Sequence, residues 1–413
     1  MVQAGLRRRE GATMTDAAEV SGMTRTEELL EREARHAPGL WKPDIVFTHG
    51  EGVFIYDAEG RRYYDCMAGI AVASLGHAHP RLIEAIATQA GRLIICSQSH
   101  GNDTRTEFLE ELFSFVQPPL QRAFMASSGS EVNEAALKWA RVATGRRRFV
   151  AARRGFSGRT MGALSLTWEP KYREPFMPTG TEVTFIDYNS VEQLEEALTD
   201  EVAALLLEPI QGEGGINEAE PEFLERAREL TRERGALLIM DEIQTGVGRT
   251  GRFLATERYG VEPDMVTLAK GLGGGVPVAA LLMTDEVARA MPSGGHGTTF
   301  GGNALAAAAG LAVLRELRSA DLLGHVGKVG RSFREALEQL DSPLVKSVKG
   351  RGLLLGLELT VPAAEVMKEL RDLGVLTINA GDNVIRLVPP LIISEDEAAE
   401  VASLIGTALA RVS

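Results

Sequence analysis

The stretch Asp264–Gly275, DMVTLAKGLGGG, sets a single lysine between a short apolar run and four glycines. MVTLA is apolar almost throughout, as a strand buried on both faces of a helix-covered parallel sheet would be. Lys270 then stands where that strand ends. A lysine beside glycines can hold a phosphate, sit solvated at a strand end, or form a covalent bond through its amine. The surrounding sequence has to separate these roles.

Six further β-rich runs flank this one: RAFMAS (122–127), RFVAA (148–152), EVTFID (182–187), VAALLLEP (202–209), ALLIMDE (236–242) and VAALLM (278–283). Helical patterns lie between several of them. EVNEAALKWARVAT has apolar residues at three- and four-residue spacing, and PEFLERARELTRERG opens with Pro221 and closes with Gly235. Strands joined by helical crossovers run parallel. The expectation is an α/β chain with a doubly wound, mainly parallel sheet over residues 77–312. Residues 313–413 read as a smaller α+β domain, 23–76 as an N-terminal segment of that small domain, and 1–22 as a disordered tail or a misplaced start.

Composition narrows the function. The chain has 413 residues, 44% hydrophobic, enough for a large core. Its net charge of −13 argues against non-specific nucleic-acid binding. Cys66 and Cys96 are the only cysteines and form no C-x-x-C, so neither a disulfide scaffold nor a zinc site is expected and a reduced cytoplasm fits. No apolar run is long enough for a bilayer span. Arg7, Arg8 and Arg9 are followed by no apolar region of the secretory kind.

Three motifs fail on inspection. GVGRTG (246–251) matches G-x-G-x-x-G, but DEIQT separates it from its strand and little room remains for the helix a dinucleotide needs. Lys270 precedes its glycines, so a Walker phosphate loop is excluded. His77 and His79 in GHAHP have no third ligand at metal spacing and suit a turn before a helix; no metal is expected.

A wider constellation succeeds. Asp241 closes the run ALLIM, so its carboxylate should emerge at the carboxyl end of a central strand, the edge where such sheets bind ligands. Lys270 comes to the same edge. A Gly-Ser turn at Gly129 and Ser130 opens a helix whose free amides suit a phosphate. GTTFGGN (297–303) offers further hydroxyls. Phosphate site, aspartate and lysine at one edge match pyridoxal 5'-phosphate, which bonds covalently to a lysine and sets its pyridinium nitrogen against a carboxylate.

With these residues in place, the chain resembles the class III pyridoxal-phosphate aminotransferases, of fold type I, from about residue 35 to 410. The resemblance rests on SGSEVNEAALK, GFSGRT, LEPIQGEGG, DEIQTGVGRTG, LAKGLGGG, HGTTFGGN and IRLVPP. Within the family it is nearest to acetylornithine aminotransferases. RGFSGRTMGALSLTWEPKYREPF (154–176) is similar to the branch whose substrates hang on an acidic amino-group carrier protein in lysine biosynthesis.

The resemblance implies roles residue by residue. Lys270 is the lysine that bonds to the cofactor and later moves the substrate proton; Asp241 holds the pyridine nitrogen protonated. Gln244 bonds the 3'-oxygen, Gly129 and Ser130 cradle the phosphate, and Phe156 stacks on the ring, with Glu208 also at the cofactor. Thr299 reaches the phosphate from a second subunit, implying a homodimer. Arg386 binds the α-carboxylate of glutamate, Glu213 covers Arg386 when the other substrate is present, and Arg159 with Thr298 takes the distal carboxylate. The chain departs from the family at Ser157, where histidine is frequent, and at SGSEVN in place of SGTEAN. The implied reaction moves an amino group between glutamate and the terminal aldehyde of an Nα-blocked amino acid in lysine or arginine biosynthesis. The alternative substrate is free N-acetylornithine. Ornithine-type relatives carry an aromatic residue where this chain has Gly69, Ile70 and Ala71, which favours a blocked α-amine. Arg146, Arg147, Arg148, Arg153 and Arg154 form a basic cluster expected in part to rim the site mouth and steer an acidic carrier.

Overall fold

The computed structural model describes residues 22–412, so the expectation for residues 1–22 lies, Gly22 apart, outside the described residues. All seven expected runs become strands: β1 (Leu120–Ala126), β2 (Arg148–Ala152), β3 (Val183–Ile186), β4 (Val202–Leu207), β5 (Leu237–Asp241), β6 (Met265–Leu268) and β7 (Ala279–Thr284). They form one sheet in the order β1-β7-β6-β5-β4-β2-β3.

The sheet is apolar on both faces. Leu205 and Leu207 of β4, Leu238 and Met240 of β5, and Val266 and Leu268 of β6 enter one core cluster. The alternating residues Ala204, Leu206, Ile239 and Met265 enter another. Period-two geometry sends neighbours to opposite faces, and helices cover both. Helix α1 (Gly129–Thr144) lays Val132, Ala136 and Ala140 into the second cluster. Ser128 caps it by accepting from the Glu131 amide, and Gly145 ends it at φ 70°. Helix α2 (Pro221–Arg234) packs Phe223, Leu224 and Leu230 into the first, with Pro221 opening it and Gly235 closing it at φ 61°.

One strand reverses. β7 is antiparallel to both β6 and β1. Only residues 269–278 separate it from β6, and a parallel return needs a crossover of a dozen residues or more. The glycine-rich turn after Lys270 is too short for a helix, so the chain doubles back.

Two smaller sheets use the rest. Val345–Arg351, Leu354–Leu359, Val384–Leu387 and Ile378–Asn379 make an antiparallel sheet in that order. Phe47–Glu51, Phe54–Asp57 and Arg62–Asp65 make another, completed by Val375–Leu376, which pairs in parallel with Arg62–Asp65.

Phe149, fully buried in β2, tests the covered face. Phe149→Ala should cost roughly 3–5 kcal/mol, read as an earlier denaturant midpoint. Arg147→Ala, two residues away and exposed, should stay within about 0.5 kcal/mol.

Candidate active site

Asp241 ends β5 in register with Thr267 of β6, and is 3% exposed. Its Oδ2 accepts from Asn133 Nδ2 at 2.8 Å, and its Oδ1 accepts from the Ile243 amide at 3.1 Å. Burial pushes this carboxyl up, against the Asn133 and Ile243 hydrogen bonds and the Lys270 charge, which pull it down. Asn133 is wholly buried on α1. Sequence reading passed it over, although a lone amide on an apolar helix face is itself a signal.

Lys270 follows β6 with φ 28° and opens the turn Lys270–Gly273. Burial brings its amine down to about 8, partly offset by the negative charges of Glu213, Glu208 and Asp241. Glu208, just past β4, accepts from the Phe156 amide at 3.0 Å and the Gly212 amide at 3.1 Å. Burial, then the neighbouring Asp241, pushes its carboxyl up.

These residues share one cavity of about 360 Å³, lined also by Gly129, Ser130, Phe156, Glu213 and Gln244. Among the four amides that a helix start leaves without an intrahelical acceptor, α1 brings those of Gly129 and Ser130 to this cavity. Ser130 Oγ accepts from the Arg159 amide at 3.1 Å. A Cβ at Gly212 would lie 2.4 Å from the Gln244 side-chain amide and displace it.

Arg386 sits behind the cavity wall, 0% exposed. Its Nη1 donates to Gly212 O at 3.0 Å, Glu213 Oε1 at 2.5 Å and Gln244 Oε1 at 2.9 Å. Its Nε and Nη2 find no partner among the described residues. Glu213 is 34% exposed. Burial pushes its carboxyl up, but Arg386, Lys270 and the hydrogen bonds around it bring it below the ordinary value.

Arg159 lies at the rim with its guanidinium 3.5 Å from the Tyr172 ring centre and 5.5 Å from that of Phe156. Tyr172 is a second residue the sequence reading left unassigned. Thr298 accepts from the Gly301 amide at 3.3 Å, and neither it nor the exposed Thr299 lines the cavity of this chain.

The basic cluster needs correcting. Arg146 donates to the carbonyls of Val202 and Arg234, at the amino ends of β4 and β5, and Arg148 begins β2 and pairs with Glu182 and Glu201. With Arg147 they stand at the sheet edge opposite the cavity. Only Arg153 and Arg154 lie at its own edge, and Arg153 is paired with Asp187 at 2.8 Å.

The rejected motifs have structural roles. Residues 246–251 run as turns, and the next helical element is the short Ala255–Tyr259. Arg249 is buried there, donating to the carbonyls of Leu353 and Pro389. His77 Nε2 lies 2.8 Å from Asp65 Oδ2, and His79 precedes the helix Pro80–Ala90.

A buried carboxylate, an amine brought down toward neutrality, an aromatic ring and free helix amides around one cavity fit a phosphorylated pyridine aldehyde. The site is thus that of a pyridoxal-phosphate enzyme. The aminotransferase class-III family model matches residues 37–409, and the chain belongs to that family: it is an aminotransferase with pyridoxal phosphate as its cofactor. It is 46% identical to the [LysW]-aminoadipate semialdehyde transaminase of Deinococcus radiodurans over 91% of this chain and 88% of that one. It is 46% identical to the acetylornithine aminotransferase of Mycobacterium bovis over 86% and 88%. Among solved structures, the ornithine aminotransferase of Toxoplasma gondii ME49 superposes with a TM-score of 0.90 at 33% identity, covering 97% of this chain and 99% of that one.

The lowered Lys270 amine can be read directly. In cofactor-free protein, Lys270 should react with an amine-selective acylating reagent with a pH midpoint near 8, mapped by mass spectrometry, and added pyridoxal phosphate should protect it. A midpoint near the ordinary lysine value of about 10.4 would contradict the cavity's effect.

Proposed function

We propose that the enzyme moves an amino group between glutamate and the terminal aldehyde of an Nα-blocked amino acid carried by an acidic protein. The observation that carries this is Arg386: buried, held through one nitrogen by Glu213, and with two nitrogens that have no partner among the described residues.

Gly129 and Ser130 would hold the cofactor phosphate, Asp241 its ring nitrogen, Gln244 its 3'-oxygen, Phe156 one ring face and Lys270 its aldehyde carbon. When bound, the cofactor supplies the electron sink for the charge left on a substrate carbon. The Lys270 amine, once displaced, takes the proton from Cα of glutamate, or from the terminal carbon of the ω-amine, and returns one on the other side of the reaction. An amine near 8 is suited to both tasks close to neutral pH. Glu208 ties the Phe156 amide to the loop that bears Glu213, so ring packing and loop position are set together.

Two substrates of different shape must use one cavity. Glutamate brings an α-carboxylate, which Arg386 can grip with paired N–H groups once Glu213 turns away. The ω-amine brings none there, and Glu213 then keeps Arg386 paired. Arg159, steadied over Tyr172, takes the distal carboxylate, with Thr298 reaching it from a second copy, since this chain's own Thr298 does not line the cavity. Residues Gly69, Ile70 and Ala71 run at φ 63°, 68° and 63° near the cavity wall at Val72, with no aromatic side chain to meet a free α-ammonium.

We further assign Thr299 to the cavity of a second copy in a homodimer. The exposed apolar residues Leu93, Ile94, Ile95 and Phe300 support this, because the Leu305 amide donates to Ile94 O and joins the two segments. A cytoplasmic setting and a division into a cofactor-binding domain over 77–312 and a small domain from 23–76 with 313–413 complete the reading.

Glu213→Ala frees Arg386. The glutamate half-reaction should persist or quicken while the ω-amine half-reaction loses selectivity in single-turnover measurements; equal loss of both removes the gate. Arg154 carries the carrier proposal. Its Arg154→Glu variant, and added salt, should lower kcat/KM for the carrier-linked substrate while sparing N-acetylornithine, since exposed charges are screened over about 8 Å at physiological ionic strength. Equal responses would leave free N-acetylornithine as the substrate.

A further inference from the structure

A second cavity, of about 420 Å³, opens where the helix Leu322–Glu338 packs on the turn at Gly350–Gly352. The two approach closely because Gly330 has no side chain; a Cβ there would lie 2.4 Å from Gly352 O. Four arginines line this cavity, Arg258, Arg331, Arg334 and Arg351, against one acidic residue, Glu218.

The four are not equally committed. Arg334 donates to the carbonyls of Gly350 and Val348 and pairs with Glu338 at 2.9 Å. Arg351 pairs with Glu218. Arg258 and Arg331 make no ion pair among the described residues. Arg258 is exposed, yet partial desolvation, then the like charges of Arg351 and Arg252, bring its guanidinium below the ordinary value. A second observation is independent of charge. Thr250 lines the cavity, is 3% exposed, and its Oγ1 has no partner among the described residues. Guanidinium forks match carboxylate and phosphate oxygens in pairs, and an assembly of like charges with a spare hydroxyl is completed by such oxygens.

We propose that this cavity binds a small oxyanion, a phosphate monoester or short dicarboxylate, gripped by Arg258 and Arg331 outside the catalytic cavity. Binding there has a route to the reaction. Glu218 ends the strand pair of Ile210–Gln211 with Asn217–Glu218, and the loop between those two short strands bears Glu213. An anion that draws Arg351 from Glu218 therefore acts at the base of that loop. This last step rests on the gate proposed above; the binding does not.

The test is calorimetry on the cofactor-loaded enzyme with inorganic phosphate and succinate titrated separately. At least one should bind a saturable site that Arg258→Gln and Arg331→Gln weaken about tenfold or more, the scale of losing a charged hydrogen bond, and that Arg386→Gln leaves intact. Which anion binds distinguishes phosphate from carboxylate. Binding insensitive to Arg258 and Arg331, or no binding of either anion, overturns the proposal. Should the variants fold poorly, phenylglyoxal labelling of the unaltered enzyme gives the same reading. Either anion should shield Arg258 and Arg331, and equal labelling with and without it overturns the proposal.

Discussion

Desolvating a carboxylate costs several kcal/mol unless donors or cations surround it, and β5 delivers one into the interior at Asp241. The surroundings are arranged around that cost. Asn133 is spent on it from α1, the Ile243 amide on it from the loop, and Lys270 stands across the cavity. Glu208 nearby works the other way, adding a like charge. Two buried carboxyls share this cavity, and burial pushes both up. Under the function proposed above, the cofactor's ring nitrogen would be the positive partner of Asp241.

Two glutamates five residues apart in one loop region show how attachment divides labour. Glu208 is fixed by two backbone amides and cannot move without releasing Phe156 and Gly212. Glu213 is one-third exposed and pairs with the Arg386 side chain, and no backbone amide among the described residues donates to it. Both have the same chemistry; what separates them is how many backbone donors each one satisfies. Glu242 satisfies two backbone donors, as Glu208 does, and adds two hydroxyls. It is wholly buried, with the amides of Ala255 and Thr256 and the hydroxyls of Thr245 and Thr256 upon it, and has no part in the cavity.

The strands were legible because each is a short apolar run, and period two explains why both faces are covered. The reversal of β7 was not read, although it follows from the brevity of the turn after Lys270. Asp241, Lys270, Gly129, Ser130 and Gln244 converge because each lies at a strand end, at a helix start or in the turn that follows a strand, on one edge. Arg146, Arg147 and Arg148 misled because nearness in sequence was taken for nearness in space. A five-residue strand at about 3.3 Å per residue carries the chain some 16 Å from one edge to the other. Asn133 and Tyr172 were missed for a different reason. The partner of Asn133, Asp241, comes from a distant segment, and the partner of Tyr172, Arg159, lies across the helix Met161–Leu166, so neither contact follows a local periodicity.

The parallel pairing of Tyr64 with Val375 has a consequence for how the chain is made. Its first sheet is left open until a strand 311 positions later exists. At translation rates of about 5–20 residues per second, the edge of Arg62–Asp65 waits roughly 15–60 s on the ribosome for its neighbour. An unpaired edge is a template for any passing strand. The three N-terminal strands can pair with one another at once, but the outer edge of the third is closed only by the final quarter of the chain.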